Sequence, residues 1–175
     1  MEGILRREVA LPKSAAKIAA VAVFVLLTFL GAYVRIPLPF TPVPVTMQTM
    51  FVLLAGACLG GGLGVASQLS YVLAGTAGGL LSLTGPTAGY LWGFVIASFL
   101  VGSYVKRCSR RFISLAGLFL VADLLILACG VAWLKALFGF SLQKTLLLGA
   151  FPFIPGDVCK VLAAAIIYRS LSSKK

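Results

Sequence analysis

The chain has 175 residues, of which 61% are hydrophobic and 11% charged, an apolar excess that no soluble domain of this size can enclose. The formal charge of +11 is carried in short basic runs between apolar segments, without a basic surface interleaved with aromatics, so nucleic acid is not the expected partner. With no histidine and four acidic residues, the chain lacks the parts for Ser-His-Asp or Cys-His catalysis and for most transition-metal sites, and no cofactor or enzymatic activity is expected.

The cysteines, Cys58, Cys108, Cys129 and Cys159, have no metal-ligand spacing, and three lie within apolar segments where a free thiol packs as a small hydrophobe. The expectation is an all-α membrane protein whose single domain, 1–175, consists of six transmembrane helices.

Arg6, Arg7 and Lys13 precede an apolar run as in a secretory signal, but no small-residue cleavage site follows, and the segment reads as an uncleaved first span over 15–33. Within it Ala15 and Ala19, and Ala16 and Ala20, have the small-xxx-small spacing that admits close approach of another helix, internal or in a partner subunit. The loop after Arg35 contains Pro37, Pro39, Pro42 and Pro44, which forbid regular helix. The nearly uncharged stretch that follows is too long for one crossing and is interrupted by Gly60, Gly61, Gly62 and Gly64, giving spans over 45–60 and 63–81. Gln48 at the head of that stretch wants an interior partner, either across helices or in a ligand.

A fourth span over 88–105 is opened by Gly85-Pro-Thr-Ala-Gly-Tyr90, a turn able to line a cavity mouth, although Tyr90 and Trp92 also suit interface anchors. The fifth, over 112–134, carries Asp123 midway, for which Lys160 or Gln48 is the expected partner. The sixth covers 145–168. Basic residues stay on the cytoplasmic side of spans, so with the N-terminus inside, Arg6, Arg7, Lys13, Lys17, Lys106, Arg107, Arg110, Arg111, Arg169, Lys174 and Lys175 are cytoplasmic. Arg35, Lys135 and Lys144 lie outside, and both termini are cytoplasmic.

Asp157 and Lys160 fall about halfway along the sixth span, where a single ion costs at least about 2.5 kcal/mol. At i and i+3 they share a helix face, and they either tie helices together or grip a polar ligand. Pro152, Pro155 and Gly156 should break the helix just before the pair. Irregular backbone at membrane depth survives where it is buried in protein or lines a cavity, and transporters present such broken helices to substrates. A pairing of Asp123 with Asp157 as an intramembrane aspartyl protease is disfavoured, because Lys160 holds Asp157 ionised.

Three blocks carry a resemblance: Gly31-Ala-Tyr-Val-Arg-Ile-Pro-Leu-Pro-Phe-Thr-Pro-Val-Pro-Val-Thr-Met-Gln-Thr49, Gly85-Pro-Thr-Ala-Gly-Tyr-Leu91 and Phe151-Pro-Phe-Ile-Pro-Gly-Asp-Val-Cys-Lys160. They resemble the BioY family of biotin transporters, the substrate-binding (S) components of bacterial energy-coupling-factor (ECF) transporters, from the first span to the last. The resemblance implies an S-component-like bundle in the cytoplasmic membrane that captures biotin from outside, in a cavity roofed by the first and third-to-fourth connections. It matches the family's acidic and basic pair to Asp157 and Lys160 and its Gly-Pro-Thr turn to Gly85, Pro86 and Thr87.

Biotin combines a ureido group, an apolar bicycle and a carboxylate; a buried Asp accepts N–H groups and a Lys donates to oxygen. Phe40, Tyr71, Tyr90 and Trp92 are candidates for the apolar wall, with Gln48 as a further polar contact. The resemblance also implies a membrane coupling subunit and two ATPase subunits as partners, docked on Ala15, Ala16, Ala19 and Ala20. The chain has no Gly-x-x-x-x-Gly-Lys-Ser/Thr phosphate loop of its own. Whether it works alone, as a homo-oligomer or only with that coupling complex stays open. One departure is visible: only nine residues lie between Gly75 and Gly85, whereas the family usually has a longer connection with a Pro-Val-Phe stretch. The competing expectations are an S component or carrier for another small vitamin, and a ligand-free membrane assembly subunit.

Overall fold

A computed structural model describes residues 13–109 and 111–173; Arg6, Arg7, Arg110, Lys174 and Lys175, used above to orient the chain, lie outside the described residues. The elements are α1 (Lys13–Tyr33), β1 (Arg35–Ile36), β2 (Val45–Thr46), α2 (Gln48–Leu59), α3 (Gly61–Ala77), α4 (Ala88–Tyr104), α5 (Phe112–Phe138), α6 (Leu142–Gly149) and α7 (Ile154–Ser173). The fold is all-helical apart from the antiparallel ladder in which Arg35 pairs with Thr46 and Ile36 with Val45.

Each helix end has a local cause. Gly60, at φ +83°, separates α2 from α3: its N–H closes the last turn of α2 on the Gly56 carbonyl at 2.9 Å, and its own carbonyl starts α3 by accepting from Gly64 N–H at 2.8 Å. Gly139, at φ +63°, ends α5 in the left-handed conformation, its N–H on the Lys135 carbonyl at 3.0 Å. Ser141 caps α6 by accepting from Lys144 N–H.

Several helix boundaries differ from the sequence expectation, among them the end of α5, which runs to Phe138 rather than 134. The helix expected from residue 45 starts at Gln48, because Val45 and Thr46 are held in the ladder. The one expected to reach residue 81 ends at Ala77, where Gly78 and Gly79 turn the chain. The break expected from Pro152, Pro155 and Gly156 is present: the sixth segment is two helices, α6 and α7, bent by 52° across 150–153.

By length and composition α1 and α5 are able to cross a membrane alone, and α6 with α7 makes a third crossing if the bent pair is one span; α2 and α4 are shorter apolar helices. Large apolar side chains face outward along α1 (Ile18, Val23, Leu26, Leu30) and α7 (Val158, Leu162, Ile166), the pattern of a bundle whose solvent is lipid. On α1, Ala16 and Ala19 are exposed and Ala15 and Ala20 half-buried.

The helix at the centre is α4, packed between α5 on one side and the α2–α3 hairpin on the other. Glycine permits that packing at backbone distance: a Cβ on Gly102 would lie 2.2 Å from the Gly61 nitrogen, and one on Gly56 would lie 2.5 Å from the Ser98 carbonyl oxygen. The same helix places Thr87, Tyr90, Leu91 and Phe94 at helical spacing toward the space between α2, α5 and α7.

Candidate functional site

The α7 helix begins just after the bend, with Pro155 in its first turn, where a missing N–H costs nothing. Asp157 sits in that turn, its N–H on the Phe153 carbonyl at 2.8 Å, and its carboxylate gains from the positive end of the helix. Lys160 Nζ donates to Asp157 Oδ1 at 2.7 Å, and both side chains are 6% exposed. A pair so buried is held by hydrogen bonding as much as by Coulomb attraction, because desolvation offsets most of the charge gain.

The pair opens into a cavity of about 190 Å³. Phe153, Asp157 and Lys160 form one end. The α4 face of Thr87, Tyr90, Leu91 and Phe94 forms a wall, with Asp123, Ile126 and Leu127 of α5 beside it and Gln48 and Thr49 of α2 opposite. The other end is covered by Arg35, Val43, Pro44 and Thr46 of the ladder and its arch, and by Leu80 and Leu81 of the α3–α4 connection. That connection is tied back: Leu80 and Leu81 both donate to the Gly75 carbonyl, at 2.8 and 3.0 Å, and the Leu81 side chain occupies the space a Cβ on Gly75 would need.

The bend frees carbonyls that a continuous helix would use, and side chains from distant segments take them up. Thr41 Oγ1, on the proline arch, donates to Leu148 O at 2.7 Å, and Tyr90 OH donates to Gly149 O at 2.6 Å. Two of the freed carbonyls are thereby satisfied internally, which is the condition for irregular backbone at membrane depth. Gln48 is likewise fixed: Thr46 Oγ1 donates to its Oε1 at 3.0 Å, and its Nε2 donates to the Tyr71 hydroxyl.

Of the residues singled out by sequence, Asp157, Lys160, Thr87, Tyr90 and Gln48 line one cavity. Tyr71 is fully buried behind Gln48, edge-on to Phe29 with ring centroids 4.6 Å apart, so it supports the wall without facing the space. Gly85 is outside the lining; its carbonyl accepts from Trp133 Nε1 at 2.9 Å and from Ala88 N–H at 3.1 Å, which fixes the turn into α4. Phe40 is 58% exposed on the arch and Trp92 is 47% exposed, and neither lines the cavity. Trp92 is two positions beyond Tyr90, a rotation of about 200° around the helix, which turns it to the opposite face.

Neither expected partner is hydrogen-bonded to Asp123 Oδ1: Lys160 donates to Asp157, and Gln48 bonds Thr46 and Tyr71. Asp123 Oδ1 is left without a hydrogen-bond partner among the described residues. The lining residues that sequence reasoning missed are mainly Thr49, Phe94, Ile126, Leu127 and Phe153. For Phe94, Ile126 and Leu127 the signal is the 3.6-residue period running through Tyr90 and Asp123; Thr49 and Phe153 carry no such signal.

Two carboxyl groups, Asp123 and Asp157, two cationic side chains, Arg35 and Lys160, and the Gln48 amide among aromatic and aliphatic walls suit a compact guest with polar groups and an apolar body. A sequence profile of the BioY family matches residues 6–174 of this chain. A probable biotin transporter BioY of Pyrococcus horikoshii is 40% identical over 167 residues, covering 90% of this chain and 96% of its own length. The biotin transporter BioY of Thermotoga maritima is 35% identical over 156 residues, covering 83% and 89%. In three dimensions the chain resembles a crystal structure of the S-component for biotin from an ECF-type ABC transporter, with a TM-score of 0.84 at 24% identity, covering 91% of this chain and 92% of that one.

Proposed function

The chain belongs to the BioY family, and on that premise we propose that it is an integral membrane protein that binds biotin as the S component of an ECF-type transporter. The observation that carries this reading is the buried Asp157–Lys160 ion pair facing a cavity beneath two connections. An ion pair kept only to tie helices would be expected against a packed interior, whereas this one borders space. The ureido group of biotin offers N–H donors and an oxygen acceptor to the pair, and Tyr90, Leu91, Phe94 and Phe153 offer apolar surface to its bicycle.

In this reading the chain crosses the membrane six times, α6 and α7 together forming one broken span, with both termini cytoplasmic. The cavity is then covered on the outer side by the proline arch and the α3–α4 connection. The driving energy comes from a separate coupling subunit with ATPases, docked on the exposed alanine face of α1, where Ala16 and Ala19 leave room for a close helix approach.

The test is equilibrium binding of labelled biotin to the purified protein in detergent, wild type beside Asp157→Asn. Wild type should bind saturably, with unlabelled biotin competing and other vitamins not. Asp157→Asn should lose about tenfold or more in affinity, as expected for loss of a charge-assisted hydrogen bond. Absence of saturable binding by wild type refutes the reading.

A further inference from the structure

Asp123 lies outside the ion pair. It is 2% exposed, lines the cavity from α5, and its Oδ1 has no hydrogen-bond partner among the described residues. A buried carboxyl oxygen left bare is costly unless a bound molecule completes it, because the group has given up its water. Neither Lys160, which donates to Asp157, nor Gln48, which donates to Tyr71, makes a hydrogen bond to this oxygen among the described residues. The cavity is lined by two carboxyl groups, Asp123 and Asp157, with the Lys160 ammonium beside Asp157 and Arg35 at the covered end.

A cyclic urea has the complementary inventory, one oxygen acceptor flanked by two N–H donors on opposite edges. Building on the biotin reading, we infer that Asp123 is a specificity-determining contact that accepts one of the two ureido N–H groups, while the Asp157–Lys160 pair serves the rest of the ureido ring. The guest's N–H supplies the donor that Asp123 Oδ1 lacks within the protein. A guest lacking that N–H leaves it bare, and this discriminates by more than shape alone.

The experiment measures equilibrium binding of biotin, and of biotin methylated at one or the other ureido nitrogen, to wild type, Asp123→Asn and Asp123→Leu, with thermal unfolding recorded for each. Wild type should bind biotin and lose about 10- to 100-fold on methylation at either nitrogen. Asp123→Leu should bind biotin about 10- to 100-fold more weakly and become indifferent to methylation at one nitrogen only, keeping the penalty at the other. A purely structural role for Asp123 would not produce that selective non-additivity. Asp123→Asn retains shape and an acceptor oxygen and should show the same pattern in weaker form, so the inference remains testable if Asp123→Leu does not fold. Biotin affinity unchanged in both variants, or methylation penalties that stay additive at both nitrogens, overturns the inference and leaves the biotin reading standing. Wild type that fails to bind biotin overturns both.

Discussion

Tyr90 and Gly149 lie 59 residues apart in the chain and are joined by one hydrogen bond of 2.6 Å, from the phenol of α4 to the last carbonyl of α6. The phenol takes up a carbonyl released at the 52° bend, and its ring stands edge-on to Phe153 with centroids 6.1 Å apart, so one residue both seals the break and shapes the cavity.

Replacing Tyr90 with Phe keeps the ring and strands the Gly149 carbonyl. Interhelical hydrogen bonds in membranes average about 0.6 kcal/mol and reach about 1.7 kcal/mol. A buried orphan acceptor belongs at the upper end of that range. Tyr90→Phe is therefore expected to destabilise by about 1–2 kcal/mol, read as a fall of roughly 2–8 °C in thermal unfolding in detergent.

The ion pair separates stability from binding. Lys160→Met leaves Asp157 buried without its cation and is expected to cost about 3–5 kcal/mol, whereas the double variant Asp157→Asn/Lys160→Met removes both ions and should unfold close to wild type. Biotin should raise the unfolding temperature of wild type by mass action and leave that of the double variant unmoved. A double variant still stabilised by biotin would show that the pair is not the grip.

Thr41→Val removes the hydroxyl that ties the proline arch to Leu148, a bond of 2.7 Å, while preserving side-chain shape. A contact that holds a cover in place acts on escape more than on entry. In a chase experiment with excess unlabelled biotin, release should quicken by roughly tenfold, with association altered far less.

The glycines give a steric contrast. A Cβ on Gly102 would meet the backbone of Gly60 and Gly61, at 2.2 Å from the nearest atom, which cannot rotate away, and Gly102→Ala is expected to cost about 1–3 kcal/mol or to prevent folding. Gly62→Ala meets nothing within 4 Å on the same hairpin and should be neutral or stabilise by up to about 1 kcal/mol. Unfolding temperatures of the two variants, measured side by side, check the difference.

Much of the fold was legible because apolar runs and their breakers are local signals. Gly60 at φ +83° divides α2 from α3 within a stretch too long for one crossing, and Pro152 and Pro155 flank the bend. The i, i+3 spacing of Asp157 and Lys160 was enough to expect a shared face, and they are bonded there. What stayed hidden depends on tertiary partners. Trp92 and Phe40 were chosen for aromatic character, which does not say which way a side chain turns. Gly85 was read as a ligand contact, yet its carbonyl is committed to Trp133, a residue no local pattern links to it. The bare oxygen of Asp123 depends on where α2 and α7 place Gln48 and Lys160, which no local pattern specifies.

The strap between α3 and α4 has a mechanical consequence. Its first part is fastened to Gly75 through Leu80 and Leu81, and its last part is committed to the start of α4 through the Gly85 and Thr87 carbonyls. Slack is confined to residues 82–84, roughly 10 Å of contour, and Ser82 and Thr84 are themselves bonded to each other. The arch over 37–44 has roughly 27 Å of contour, hinged on the short ladder below it. The two halves of the cover are thus unequal: the strap is a short sill bonded at both ends, while the longer proline arch is anchored by its ladder and by Thr41 on Leu148.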